Sequence, residues 1–386
     1  MANSMIEVNN RLFARLSDVA GEKLTVEEAK FPRAISTDKD GKNWLKNAKV
    51  TKMPHLALGP RAEFAIANFE KRFFLVCVGI EVNPCKGSDL IKISPNSGAL
   101  TLFLADLELP LLDKPDLQYA LLEHIFIPPL DKADKFIAID VESVKKFFAK
   151  VELFEIRKDS VLISEYGMEY RVALAALLDA RAARPLDWNV DTLERLAKMV
   201  MNPDEKAPFH LLFRMLTENR GDSAFLDIYR CIEQLFPLPK ISILCGDLGI
   251  VQSEMEVAKK LELHLGWRRS EIESLTHLMS DAPNEILEKL KICLNISENG
   301  SDLATVIAKS IYELRNRSVH FRAIHADSLS KAPPDWLGIV DVLLEFVEIL
   351  YFKNSKSFSE IKLNKIDHEA NILLLKSSSD RKEHTA

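Results

Sequence analysis

Three side chains near the C-terminal end of this chain have types and spacing suited to chemistry on a phosphodiester. Arg315, Asn316 and His320 stand in the stretch Tyr312-Glu313-Leu314-Arg315-Asn316-Arg317-Ser318-Val319-His320. A guanidinium stays charged at any working pH and can neutralise a phosphate. An imidazole gives or takes a proton near neutral pH. Together these groups would supply half of a site for RNA cleavage by internal attack of the 2′-hydroxyl. His320 would serve as general base or acid, and Arg315 would stabilise charge on the phosphorane. Asn316 would orient the imidazole or bind a phosphate oxygen. No Ser-His-Asp or Cys-His grouping has comparable local support.

The element that must position them is a helix over residues 302–321. With the core stripe centred on Leu314, Leu303, Ile307 and Ile311 share its face, and Val306 and Ser310 lie beside it. At about 100° per residue, Asn316 falls opposite that stripe, with His320 one turn on and Arg315 on the flank. The motif is thus expected to point away from the helix's own core. Tyr312 and Val319 flank Arg315 on the outer half, which predicts a second apolar contact surface, another protomer. Lys309, Arg317, Arg322 and Lys331 add positive charge locally, against Glu313 and Asp327, so that RNA can approach an otherwise acidic chain. Of these, Arg317, Arg322 and Lys309 are the candidate substrate contacts. An ordinary exposed helix face could carry the same residues, and both readings stand at this point.

The stretch from Ser310 to His320 resembles the HEPN superfamily, the higher-eukaryote and prokaryote nucleotide-binding helical domains. It is similar to the ApeA-like branch of bacterial antiviral proteins. The signature is an Arg followed by a polar residue, with a His four to six positions later, on a late helix of the core. A second segment, Phe225-Leu226-Asp227-Ile228-Tyr229-Arg230-Cys231-Ile232-Glu233-Gln234-Leu235-Phe236, is similar to that branch's first core helix. The resemblance covers about residues 205–353. It implies a metal-independent endoribonuclease, active as a homodimer whose two motifs form one cleft, and an antiviral defence effector or toxin. Phe321 departs from the pattern, where relatives often carry a smaller residue. The competing readings are a non-catalytic dimeric RNA- or nucleotide-binding module, and a dimerisation scaffold.

The whole chain has 386 residues, 47% hydrophobic and 28% charged, with a net charge of −6. That composition is ordinary for globular protein and argues against non-specific coating of nucleic acid. Its length favours two domains. Short apolar runs at 73–80, 100–104, 125–127, 136–141, 151–156 and 161–163 read as strands, and the charged, Gly-containing stretch 38–46 reads as a loop. From about residue 167 helical periodicity dominates, at 170–184, 190–201, 204–219, 223–236, 253–265, 270–279, 284–294, 302–321 and 334–352. The expected class is α+β, with a mixed α/β domain over 1–200, an all-α HEPN-like helical bundle over 201–354, and a polar tail over 355–386 with one short strand at 372–375. The first domain would sense or regulate, with a phage or host protein as trigger.

Other residues carry weaker signals. Glu233 could pair with Arg315 or Arg317 and hold the motif, although a solvated glutamate is the commoner case. His325 could touch RNA or simply sit in a loop. Trp267 beside Arg268 and Arg269 could stack a base or anchor a helix start, and Trp188 and Trp336 read as packing. Cys77, Cys85, Cys231, Cys245 and Cys293 form no C-x-x-C pair, which fits a reduced cytoplasm. The first residues lack the pattern of a signal peptide, and no apolar run is long enough to span a membrane. There is no Gly-rich phosphate loop, and His320 and His325 are not at i,i+4. The expectation is therefore no cofactor and no metal.

Overall fold

The computed structural model describes residues 4–21, 33–53, 56, 58, 62–85, 87–107, 109–113, 116–126, 137–164, 166–266, 270–297, 302–319 and 334–358. The chain is α+β, with a sheet in its N-terminal part and a mostly helical C-terminal part. It divides into two compact units. One comprises Met1–Pro203 and Pro208–Arg220, the other Asp204–Ala207 and the chain from Gly221 on.

In the first unit the order is α1 (Met5–Ala20), β1 (Arg33–Ile35), α2 (Lys39–Asn47), β2 (Lys49–Lys52), β3 (Glu63–Phe69), β4 (Arg72–Val78), β5 (Leu90–Ile93), α3 (Ser97–Asp106), α4 (Leu117–Leu121), β6 (Ile137–Ile139), α5 (Val141–Lys145), β7 (Val151–Ile156), α6 (Met168–Leu178), α7 (Val190–Met201) and α8 (Phe209–Thr217). Five strands form an antiparallel sheet in the order β2-β3-β4-β7-β5, and β1 and β6 make a separate parallel pair. Phe74 to Val78 in central β4 are all fully buried, because both faces of the sheet are covered. Ala65, Ala67, Phe74, Val76 and Val78 face the layer of α1, α2 and α3. The alternate residues face the other way, where Phe64 meets Phe213 of α8 edge-on with ring centroids 6.3 Å apart. So α8 lies on the sheet's second face, and α6 packs against both α8 and α7. The three are tied by Arg171, which has no exposed surface. Its Nη1 donates to the carbonyls of Val200 (3.1 Å) and Asn202 (3.0 Å), and its guanidinium lies 4.4 Å over the Phe209 ring.

Several sequence expectations need correction. The stretch 38–46 is helix α2, started by Asp38, whose carboxylate accepts the Gly41 N–H at 2.7 Å. The 100–104 run lies inside α3, a helix apolar all round because it is wholly buried. Residues 122–126 form a π-helical turn and 161–163 a 3₁₀ turn. The 73–80, 136–141 and 151–156 runs do contain strands β4, β6 and β7. Strands β1, β2, β3 and β5 fall outside the runs that the sequence marks as strands. The β3–β4 hairpin turns at Glu70 (φ 50) and Lys71 (φ 61), a left-handed pair without the usual Asn or Gly.

The second unit is helical: α9 (Gly221–Glu233), α10 (Leu238–Leu248), α11 (Glu254–Leu265), α12 (Glu271–Ser280), α13 (Asn284–Cys293), α14 (Leu303–Val319) and α15 (Trp336–Lys353). Helix α10 was missed in the sequence, because Pro237 and Pro239 read as a stop. They sit instead at the start of the helix, where proline's missing N–H costs nothing. Long α15 packs against α9 and α13, and α14 packs against α12, α9 and α13. Tyr351 of α15 donates its hydroxyl proton to the Cys231 carbonyl at 2.9 Å, fixing α15 to α9. The expected tail strand at 372–375 lies outside the described residues.

Candidate functional site

Helix α14 positions the motif. Its buried residues are Ala304, Ile307, Ala308 and Ile311. The next step of that stripe is residue 315, so Arg315 continues the inward face. This corrects the sequence reading of Arg315, which placed it on the flank of the outward polar face. Centring the stripe on Leu314 leaves out the two alanines, which are both buried. Leu314 itself is only half-buried.

The Arg315 side chain retains 22% exposure. Its Nη2 lies 3.6 Å from Glu271 Oε1 at the start of α12 and 4.0 Å from Glu233 Oε1 at the end of α9. Its Nη1 donates to Asn316 Oδ1 at 3.1 Å. Beneath it the guanidinium carbon stands 6.0 Å from the ring centroid of Tyr229, one helical turn before Glu233. Three helices thus converge on one cation.

The cluster has unmet polar demand. The Tyr229 hydroxyl and Glu271 Oε2 are buried and have no hydrogen-bond partner among the described residues. Burial pushes the Tyr229 phenol far above its ordinary pKa, with Glu271 and Glu233 adding to the effect. The Glu233 carboxyl is raised by burial and then by Glu271, while Arg315 and Arg230 pull it back. Two carboxylates on one guanidinium leave a surplus of negative charge, which an arriving phosphate would have to displace.

The remaining predicted residues are distributed differently. Lys309, Glu313 and Arg317 are exposed and fall at i, i+4 and i+8, on one outer face of α14. Arg317 Nη2 lies 3.8 Å from Glu313 Oε2. Arg315 and Arg317 are two residues apart, about 200° around the helix, so they do not share a surface. Val319 is 47% exposed and Tyr312 half-buried, flanking Arg315 as the helical wheel requires. His320, Phe321, Arg322, His325 and Lys331 lie outside the described residues, as do Trp267, Arg268 and Arg269.

Glu233, one of the candidate partners named from the sequence, is brought to Arg315 by the fold. Sequence reasoning missed Glu271 and Tyr229. Glu271 carries no sequence signal beyond following the N-cap Ser270, and Tyr229 looked like one more core aromatic. The acids near the motif had been counted along the chain as Glu313 and Asp327, whereas two others arrive through space. Among the described residues no group of three or more His, Cys, Asp or Glu side chains is arranged to hold a metal ion, and no helix is long and apolar enough to cross a membrane. No family model, curated protein or solved structure matches this chain.

Proposed function

We propose that the Arg315–His320 segment is half of the active site of a HEPN-type, metal-independent endoribonuclease. The observation that carries this reading is the setting of Arg315. Its guanidinium is held by carboxylates from two other helices yet keeps an open edge beside Asn316. A cation placed this way is positioned before substrate arrives, as charge stabilisation requires. The resemblance of the 310–320 and 225–236 segments to the superfamily points the same way.

In the proposed reaction the 2′-oxygen attacks the adjacent phosphorus and loses its proton to an imidazole. The P–O5′ bond breaks, and a second imidazole protonates the leaving 5′-oxygen. The products are a 2′,3′-cyclic phosphate and a 5′-hydroxyl. His320 of each copy in a homodimer supplies one imidazole, and Arg315 meets the charge on the non-bridging oxygens. Asn316, already bonded to Arg315, holds a phosphate oxygen or the imidazole. Lys309 and Arg317, on the opposite face of the helix, serve in longer-range attraction of RNA rather than in the cleft; Arg322 stays a candidate contact. The biological reading is a toxin or antiviral defence effector, with the first unit receiving the trigger.

The alternative is a dimeric module that binds RNA or nucleotide without cutting it, or that only dimerises. It draws on the same observation, because Arg315 already has two carboxylate partners. Induction of wild type and His320→Ala, followed by a gel of total RNA, separates the two. Degradation with wild type only supports the nuclease. Intact RNA with both, in the presence of folded protein, favours the binding module.

A further inference from the structure

The first unit contains a hollow of about 480 Å³ that the nuclease reading does not use. It is built by one short segment, the 3₁₀ turn Arg181–Ala183 and the residues leading into α7. Ligand pockets fall in this size range. Three features of its lining point to the same class of occupant.

The first is charge. Arg181 and Arg184 both line the hollow, and neither forms an ion pair among the described residues. Arg184 Nη1 donates only to the Leu178 carbonyl, at 3.3 Å. Burial and the nearby Arg181 push the Arg184 guanidinium below its ordinary pKa, with Asp179 acting in the other direction. Two guanidiniums that repel each other without a bridging carboxylate fit a doubly charged phosphate, which accepts paired donors from each.

The second is the start of α7, a helix of 12 residues capped by Asn189, whose Oδ1 accepts the Thr192 N–H at 2.6 Å. Asn189 and Val190 are part of the wall, so the positive end of the helix dipole lies at the same hollow. The third is Trp188, 7% exposed and also in the wall. Its indole N–H has no acceptor among the described residues and no surface toward the hollow, so the ring contributes stacking surface for a base rather than a hydrogen bond.

The rest of the lining extends the ligand beyond a bare anion. Leu186 and Leu193 offer apolar surface for a flat ring, and Asp187 is the one carboxylate present, a natural acceptor for sugar hydroxyls. We infer that this hollow binds a nucleoside monophosphate or a close relative, its phosphate between Arg181 and Arg184, which would make the first unit a small-molecule sensor.

The test is calorimetric titration of the full chain with AMP, adenosine and inorganic phosphate, alongside tryptophan fluorescence. The expected result is saturable AMP binding that changes the fluorescence, phosphate binding about ten-fold weaker, and no binding of adenosine. Arg181→Gln alters an exposed side chain and should keep the fold. It and the double variant Arg181→Gln/Arg184→Gln should each weaken AMP by about ten-fold or more, with unchanged melting, and the double variant more than the single. Trp188→Phe should lose most of the fluorescence response. Arg315→Ala should leave AMP affinity unaltered, which separates this site from the proposed nuclease cleft. Absence of AMP binding to folded wild type at roughly 1 mM would overturn the proposal. So would binding insensitive to Arg181 and Arg184, or binding lost with Arg315→Ala. Equal affinity for phosphate and AMP would overturn the nucleotide assignment. A 5′-phosphorylated RNA tetramer binding far more tightly than AMP through these arginines would overturn the small-molecule one.

Discussion

Arg171 in the first unit and Arg315 in the second are both arginines on the inward side of a helix, and they are held in opposite ways. Arg171 is sealed, its Nη1 donating to two main-chain carbonyls and its plane laid on Phe209. Main-chain carbonyls cannot move without unfolding α7, so this arginine is a structural tie. Arg315 is held by Glu233 and Glu271 at 4.0 and 3.6 Å, distances at which no tight hydrogen bond forms, and it keeps an open edge. Side-chain carboxylates can be exchanged for phosphate oxygens. The contrast shows that burial alone does not distinguish a structural arginine from a functional one. The nature of the acceptor does.

The largest expected effect breaks the first half of that contrast. Arg171→Ala should remove roughly 3 kcal/mol of stability or more, because it strands two carbonyls and opens a void beside Phe209. Denaturant unfolding measures it, and a loss well under 1 kcal/mol would contradict the account. Arg315→Ala should cost less than about 1 kcal/mol, since a part-exposed pair contributes little, while abolishing RNA cleavage. An equally destabilised Arg315→Ala would make the two arginines alike and remove the distinction.

A third expectation tests the dense packing of the first unit. Helices α2 and α3 touch at Gly41 and Gly98, where a methyl group on Gly98 would fall 1.9 Å from the Gly41 carbonyl oxygen. Gly98→Ala should therefore cost about 1–3 kcal/mol by overpacking. A melting temperature equal to wild type would show that the helices can part freely.

A subtler test concerns protonation at the Arg315 cluster. Glu233 is raised above its unfolded value, so its contribution to stability is full below the ordinary carboxylate pKa and is lost as pH rises through the folded value. Arg315 holds that folded value down. In Arg315→Ala the loss should begin at the same unfolded pKa and extend to higher pH, with Glu233→Gln suppressing it. Melting curves from pH 4 to 8 would show this, and identical profiles for the wild type and Arg315→Ala would sink it. The smallest expected effect lies in the hairpin turn: Lys71→Gly, relieving φ 61, should stabilise by roughly 0.5–1 kcal/mol.

The two units also differ in how much of them could be read from the chain. Helices α7, α11, α12 and α13 follow directly from caps and periodicity, as at Asn189, Ser253 and Ser270. The sheet region of the first unit resists reading because most of its strands are short and α3 is buried on all sides. The apolar run at 100–104 has no periodicity to tell helix from strand. β3 is rich in alanine, and its turn at Glu70 and Lys71 hides the hairpin. At the site, Arg315 and Asn316 were legible as residue types, and Glu233 as a possible partner. The inward direction of Arg315 was not, because it depended on Ala304 and Ala308 being core. Glu271 and Tyr229 come from other helices and have no local signature, so only the packing of α9, α12 and α14 brings them to view.

The most direct measurement of the central claim is cleavage of a defined RNA by the purified full chain in EDTA, with the ends of the products identified. The account predicts cleavage that persists in EDTA, leaves 2′,3′-cyclic phosphate ends, disappears with His320→Ala, and is not fully restored when Arg315 is replaced by Lys, which lacks the planar fork. Cleavage lost in EDTA and recovered with magnesium would contradict the metal-free mechanism, and cleavage surviving His320→Ala would contradict the site itself.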